Sequence, residues 1–395
     1  MDIQVIVFIC LLLLLSYLFD ISSARTRIPS VILLLFLGWI VRQTTIMLKI
    51  SIPDLNPVLP VLGTIGLILI VLEGALELEI NMAKVGVIGK ALLLALIPML
   101  LLLFVIAGVF YFFQVVEFKT ALLNALPFCV ISSAIAIPSV RNLSPIKKEL
   151  VIYESSFSDI IGVLLFNFIA INNTFNGHIF FRFGSQLIVI VIGSFILVLM
   201  LSFLLSRISH HITYTPIILL VILIYAVSKQ FHLPGLIFIL VFGLFLGNTE
   251  EFKRFKIFEQ FRPQKLEAEV VKFKDITYEV TFLVRSLFFL LFGYLMETDE
   301  LLDLGSLPWS CGIVISIYLI RWVTLKVFKL PATELLFVAP RGLITILLFI
   351  SILPDQRMPV VGKSLVIQTI VLSVLVMMFG LMLSGRPTKE IEKKE

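Results

Sequence analysis

Two carboxylates, Glu154 and Asp159, sit inside the run LVIYESSFSDIIGVLLFN (Leu150–Asn167), which is otherwise apolar enough to cross a lipid bilayer. An ionised side chain at mid-membrane costs roughly 2.5 to 3.5 kcal/mol on insertion scales, so an acid kept there reads as functional. Its chemistry is narrow: it can bind a cation, bind a proton, or neutralise a buried base. Five residues at about 100° each set the two acids about 140° apart around a helix, on different faces and so in different roles. Asp159 has Ser155 one turn earlier on its own face and Ser158 beside it, which supplies the hydroxyl oxygens a hard alkali cation prefers. Asp159 is therefore the expected carrier, the residue at which proton and cation compete for the same lone pairs.

Few other charges interrupt the apolar stretches. Glu73 is the third acid, and the bases are Arg285, Arg321 and Arg341. Three against three suggests pairing, with one carboxylate neutralising an arginine and another facing an aqueous funnel.

The elements that must position these residues follow from composition. Of 395 residues, 59% are hydrophobic and 14% charged, far from the averages of soluble domains. The chain reads as an all-α polytopic membrane protein forming one transporter domain over 1–395. Its formal charge of +5 sums loops on opposite sides of a membrane and points to no nucleic-acid partner. Stretches able to span roughly 30 Å of hydrocarbon lie near 3–19, 28–46, 57–77, 85–113, 119–141, 149–172, 185–206, 213–230, 233–248, 277–296, 307–330, 333–353 and 363–384, about thirteen spans. The first lacks a basic n-region and reads as a retained span. The longest polar interlude, Thr249–Asp275, reads as a charged linker or as an amphipathic helix on the membrane surface. Lys and Arg favour one side of the implied loops by about three to one, which places the N-terminus outside and the C-terminus in the cytoplasm of a cell-membrane protein. Cys10, Cys129 and Cys311 fall in apolar runs and read as small buried hydrophobes.

An internal repeat organises the spans. IPSVILLLFLG (Ile28–Gly38) resembles LPGLIFILVFG (Leu233–Gly243), with proline and closing glycine in register. LIVLEGALELE (Leu69–Glu79) resembles FLLFGYLMETDE (Phe289–Glu300), and ALLNALP (Ala121–Pro127) resembles ELLFVAP (Glu334–Pro340). Matching spans 1–6 to 8–13 gives repeat one over 1–173, a connector helix over 185–206, repeat two over 213–384 and a short tail over 385–395. The odd offset inverts one repeat relative to the other, an arrangement that marks secondary transporters. The fifth span carries Pro127, the small polar run Ile131-Ser132-Ser133-Ala134 and Pro138; the twelfth carries Ala339-Pro340-Arg341-Gly342. Proline and glycine break helices there, and the freed backbone ends, with Ser132 and Ser133, can meet an ion.

With these residues in view, the chain resembles the monovalent cation/proton antiporter superfamily, most closely its thirteen-helix sodium/proton (NhaP-like) branch. The most specific part is Glu154-Ser155-x-x-Ser158-Asp159, similar to Glu-Ser-x-x-Asn-Asp in that family; Arg321 and Pro340-Arg341-Gly342 support it. The resemblance implies a homodimer and an elevator-like motion of a core built from spans 4–6 and 11–13. It also implies an ion- and proton-binding acid at Asp159, cation ligation helped by Glu73 and Ser155, and pairing of Glu154 with Arg341, with Arg321 as the third member of the structural ion-pair set. Two departures stand out. Ser158 replaces asparagine or aspartate, and Ser132-Ser133-Ala134 replaces Thr-Asp-Pro. One carboxylate at the site suggests one monovalent cation, Na+ before K+ or Li+, for each proton.

Other classes find less support. His178, His210, His211 and His232 form no His-Glu-x-x-His pattern, so no enzyme and no cofactor is expected. A sodium-coupled anion symporter and a channel-like sensor on the same inverted repeat are the alternatives to antiport.

Overall fold

The computed structural model describes residues 3–26, 28–49, 54–78, 84–114, 116–140, 143–172, 184–185, 188–189, 192–193, 214–230, 235–248 and 263–384. The four histidines, the tail, nearly all of the expected connector and the charged stretch from 249 to 262 lie outside them.

Helices carry the described chain: α1 (Ile3–Thr26), α2 (Ser30–Met47), α3 (Val58–Glu77), α4 (Val85–Gln114), α5 (Phe118–Ala125), α6 (Ser133–Ser139), α7 (Pro145–Ile171), α8 (Tyr214–Gln230), α9 (Gly235–Gly247), α10 (Pro263–Leu295), α11 (Thr298–Leu301), α12 (Leu307–Val327), α13 (Ala332–Leu335), α14 (Leu343–Ser351) and α15 (Lys363–Ser384). Every expected span but the connector coincides with a helix or with two half-helices. Eight of the described spans are long and apolar enough to cross a membrane.

Two groups of helices pack among themselves. One joins α2 to α10, α3 to α9 and α10, and α8 to α9; the other joins α4 to α5, α7 and α12, and α12 to α15. Paired glycines explain the first group. A Cβ on Gly38 of α2 would strike the carbonyl oxygen of Leu290 and come within 2.8 Å of the Tyr294 nitrogen on α10. A Cβ on Gly243 of α9 would strike Ala75 and lie 3.2 Å from the carbonyl oxygen of Leu72 and 3.4 Å from the Leu76 nitrogen on α3. Each glycine thus sits over a carbonyl and the amide four residues on, the close backbone approach that small residues permit between membrane helices. These are the two glycines that the paired segments set in register, and their partner helices carry the second pair of matched segments. Gly38→Ala and Gly243→Ala are each expected to cost about 1 to 3 kcal/mol through overpacking. Thermal unfolding in detergent should show both, with no change for Gly89→Ala, whose added Cβ has nothing within 4 Å.

The charged interlude ends earlier than the sequence suggests. α10 begins at Pro263 and runs unbroken for 33 residues to Leu295, roughly 50 Å at 1.5 Å per residue. Proline suits a first helical turn, and Lys265, Leu266, Glu267 and Ala268 are good helix formers. Phe273, fully buried, holds this charged section down against Tyr214 and Phe242. Residues 263–275 are therefore the start of a span and not linker.

Of the cysteines only Cys129 is buried; Cys10 and Cys311 are exposed on α1 and α12. Hydropathy cannot separate the two environments, because the outer face of a membrane helix meets hydrocarbon and is as apolar as its core face.

Both predicted breaks are present. Between α5 and α6 the chain makes a 3-10 turn at Leu126–Phe128 and then runs without helix to Ser132; between α13 and α14 it is non-helical from Val338 to Gly342. The two breaks cross. The Ser132 backbone N–H donates to the Pro340 carbonyl (2.9 Å). Gly342 is required by this crossing, since a Cβ there would lie 2.7 Å from Ser132 Oγ and 2.6 Å from Ile135 Cδ1. Gly162 of α7 does the same service for Val130, whose side chain occupies the place a Cβ would take.

Candidate functional site

Breaking two helices inside a membrane frees backbone groups that no water is there to satisfy, so side chains must do it. Three of the residues singled out above take that role. Ser158 Oγ accepts from the Ile131 N–H (2.9 Å). Asp159 Oδ2 accepts from the Ser133 N–H (3.3 Å) and from the Ser133 hydroxyl. Arg341 donates through Nε to the Phe128 carbonyl (2.6 Å) and through Nη1 to the Ala339 carbonyl (3.2 Å). The acid therefore lies at the positive N-terminal end of one half-helix, α6, and the guanidinium at the negative C-terminal end beyond the other, α5. This is the placement that helix dipoles favour.

Asp159 is 3% exposed, and its second oxygen, Oδ1, has no hydrogen-bond partner among the described residues. Ser132 Oγ is likewise buried and unpartnered. A deeply buried carboxylate with one oxygen anchored and the other free has an open position for a proton or a cation, and hydroxyls near it that can complete a coordination shell.

A cavity of about 620 Å³ leads toward this place. Its walls are α1, α3 and α10 on one side and α6 and α7 on the other, and it reaches Ser133 and Ala134. Glu73 lines it, together with Asp20, Glu77, Lys148, Arg285 and Tyr278. Glu77 lies one turn after Glu73 on the same face of α3, a spacing visible in the sequence; its carboxylate accepts a hydrogen bond from the Tyr278 hydroxyl. Asp20, Lys148 and Tyr278 come from three different helices, and the sequence offers no sign that they share a wall.

The remaining expectations divide. Ser155 is fully buried and its hydroxyl donates to the Val151 carbonyl of its own helix (2.8 Å), so it faces inward but is turned onto the backbone. Ser158 is engaged as an acceptor at the crossing. Glu154 does not meet Arg341. It forms a bidentate pair with Arg321 of α12, at 2.5 and 3.1 Å, with both side chains 3% exposed. Arg321 also donates through Nε to the Leu335 carbonyl (2.7 Å), which ties α12 to α13. The reason is geometric: the Arg341 side chain is committed to the carbonyls of the broken helices, whereas Arg321 presents its planar fork edge-on to the carboxylate.

A model of the family described as sodium/hydrogen exchanger, transmembrane, matches residues 10–385. Among solved structures, that of the sodium proton antiporter MjNhaP1 from Methanocaldococcus jannaschii at pH 8 is similar with a TM-score of 0.69 and 20% identity, over 97% of this chain and 99% of that one. A three-dimensional electron-microscopy map of the same antiporter gives a TM-score of 0.69 and 18% identity, over 97% and 96%. At these identities the likeness is one of fold. No curated protein sequence matches.

Proposed function

The chain belongs to the transmembrane sodium/hydrogen exchanger family, and on that premise we propose that it exchanges Na+ for H+ one for one, with Asp159 as the shared site. The observation that carries this reading is the division of labour within one carboxylate: Oδ2 is anchored on Ser133 while Oδ1 is buried and free. A single exchanged charge supports electroneutral transport, because either cargo neutralises the same group. Glu73, across the funnel, and Ser132 are the further cation ligands of this reading; Ser155 joins them if its hydroxyl leaves the Val151 carbonyl.

Ser133 is assigned as a positioning residue. Its hydroxyl and N–H fix the anchored oxygen at the start of α6. Ser133→Ala removes a hydrogen bond to a charged group, worth about 1.5 to 3 kcal/mol, so exchange should fall by roughly tenfold or more. Ser133→Thr keeps the hydroxyl and should restore it. Equal rates for both variants would remove this role.

The asymmetry of the path supports alternating access. The funnel opens where α3 ends and α7 begins; on the far side Leu347 of α14 packs into the space left by Gly63 of α3. With the Lys- and Arg-rich loops in the cytoplasm, the open side faces inward. We assign α4–α7 and α12–α15 as the core that moves against α1–α3 and α8–α10, with repeats over 1–173 and 213–384, in a homodimer in the cell membrane.

The decisive experiment reconstitutes the purified protein into liposomes acidified inside, adds Na+, Li+, K+ or Rb+ outside, and follows proton release. Na+ should release protons without a current. Failure of every alkali cation between about pH 6 and 9, or a current without proton flux, would overturn the proposal.

A further inference from the structure

Behind the crossing, away from the funnel, lies a second polar feature that cation transport leaves unused. It is a cavity of about 20 Å³ lined by Ala95 and Pro98 of α4, Cys129, Ser158, Arg321 and Arg341, and it shares no lining residue with the funnel. Two guanidinium groups, each at most 3% exposed, border it, and the one carboxylate paired with either of them, Glu154, is held by Arg321. The cluster therefore carries one positive charge more than it neutralises locally. Guanidinium does not lose its proton in proteins, so that charge cannot be shed, and an uncompensated buried charge is costly.

Arg321 uses Nε on the Leu335 carbonyl and both Nη atoms on Glu154. Arg341 uses Nε and Nη1 on the Phe128 and Ala339 carbonyls, and its Nη2 has no acceptor among the described residues. The Ser158 hydroxyl accepts from Ile131, and its own proton has no acceptor there either. Cys129 Sγ already donates to the Ala125 carbonyl (3.3 Å). The cavity thus offers unused donors and spent acceptors. A water molecule would need acceptors for two protons of its own; an anion needs none. The volume exceeds the roughly 10 to 15 Å³ that one water requires and is too small for a phosphate or a carboxylate.

We propose that this cavity binds a single halide-sized anion between Arg321 and Arg341, chloride being the abundant species of that chemistry. The anion neutralises the surplus charge and braces α4, α12 and the crossing from behind. This assignment does not depend on Asp159 carrying the transported cation.

The test measures thermal unfolding of the detergent-purified protein at fixed sodium and ionic strength, with chloride, bromide or gluconate as counter-ion. Chloride and bromide should raise Tm over gluconate saturably, by about 3 °C. Ala95→Leu, which fills the cavity, should remove the difference. Should that variant fail to fold, crystals of the unaltered protein grown in bromide decide independently: an anomalous peak between the two guanidinium groups is expected. Equal Tm in the three salts, a full halide effect in Ala95→Leu, or density at this position that does not respond to bromide, which would be water, each overturn the proposal.

Discussion

Asp159→Asn should abolish sodium-driven proton release while leaving a folded protein. The amide is nearly isosteric, and its oxygen can still accept from the Ser133 N–H, so the anchor at the start of α6 survives. Its nitrogen then occupies the position of Oδ1, which has no partner to lose. An amide neither titrates nor offers a negative charge to a cation. A cation and carboxylate in contact at about 2.4 Å attract by roughly 7 kcal/mol at an effective dielectric of about 20, so losing even part of that puts exchange at least about 100-fold down. The measurement pairs proton release in liposomes with Tm in detergent. Retained exchange at an unchanged Tm would remove Asp159 from the centre of the mechanism.

Glu154→Gln should do the reverse, with its main effect on stability. Removing one partner of a buried ion pair leaves the other charge uncompensated, at about 3 to 5 kcal/mol, and here the orphan would be Arg321 with Arg341 nearby. A double-mutant cycle identifies the partner. Glu154→Gln combined with Arg321→Gln should cost well under the sum of the single changes, by at least about 1 kcal/mol. Combined with Arg341→Gln it should come close to additive, because Arg341 acts through the Phe128 and Ala339 carbonyls. Coupling to Arg341 and none to Arg321 would restore the pairing that family resemblance implies and would sink the one assigned by geometry.

Three intramembrane acids and three arginines can be counted in the chain, but a count does not say who pairs with whom. Resemblance chose Arg341 because the matching acid of the family pairs with an arginine of the twelfth span. Folding sets that residue to capping the freed carbonyls and leaves Glu154 to α12. The serines show the same limit. Their spacing puts Ser155 and Ser158 near Asp159, yet hydroxyls on a helix can also bond backward to their own backbone or out to a neighbour, and each of these two does one of those things. Ser133, distant in sequence, reaches the carboxylate instead.

The sequence by itself determined that the chain is a helical membrane protein, that two of its spans break, after Pro127 and around Pro340–Gly342, and that Glu154 and Asp159 lie on different faces of one helix. These conclusions rest on local properties: span length against bilayer thickness, the missing donor of proline, and the angle between residues five apart on a helix. Tertiary structure decided that the two breaks cross, that Ser133 anchors one oxygen of Asp159 and frees the other, that Arg321 holds Glu154, and that acids from three helices share one funnel. Those depend on which helix ends meet, in pairs that are separated by 26 residues for Ser133 and Asp159 and by 167 for Glu154 and Arg321. No periodicity or motif encodes that meeting, because it is fixed by packing glycines such as Gly38, Gly243 and Gly342 against particular neighbours.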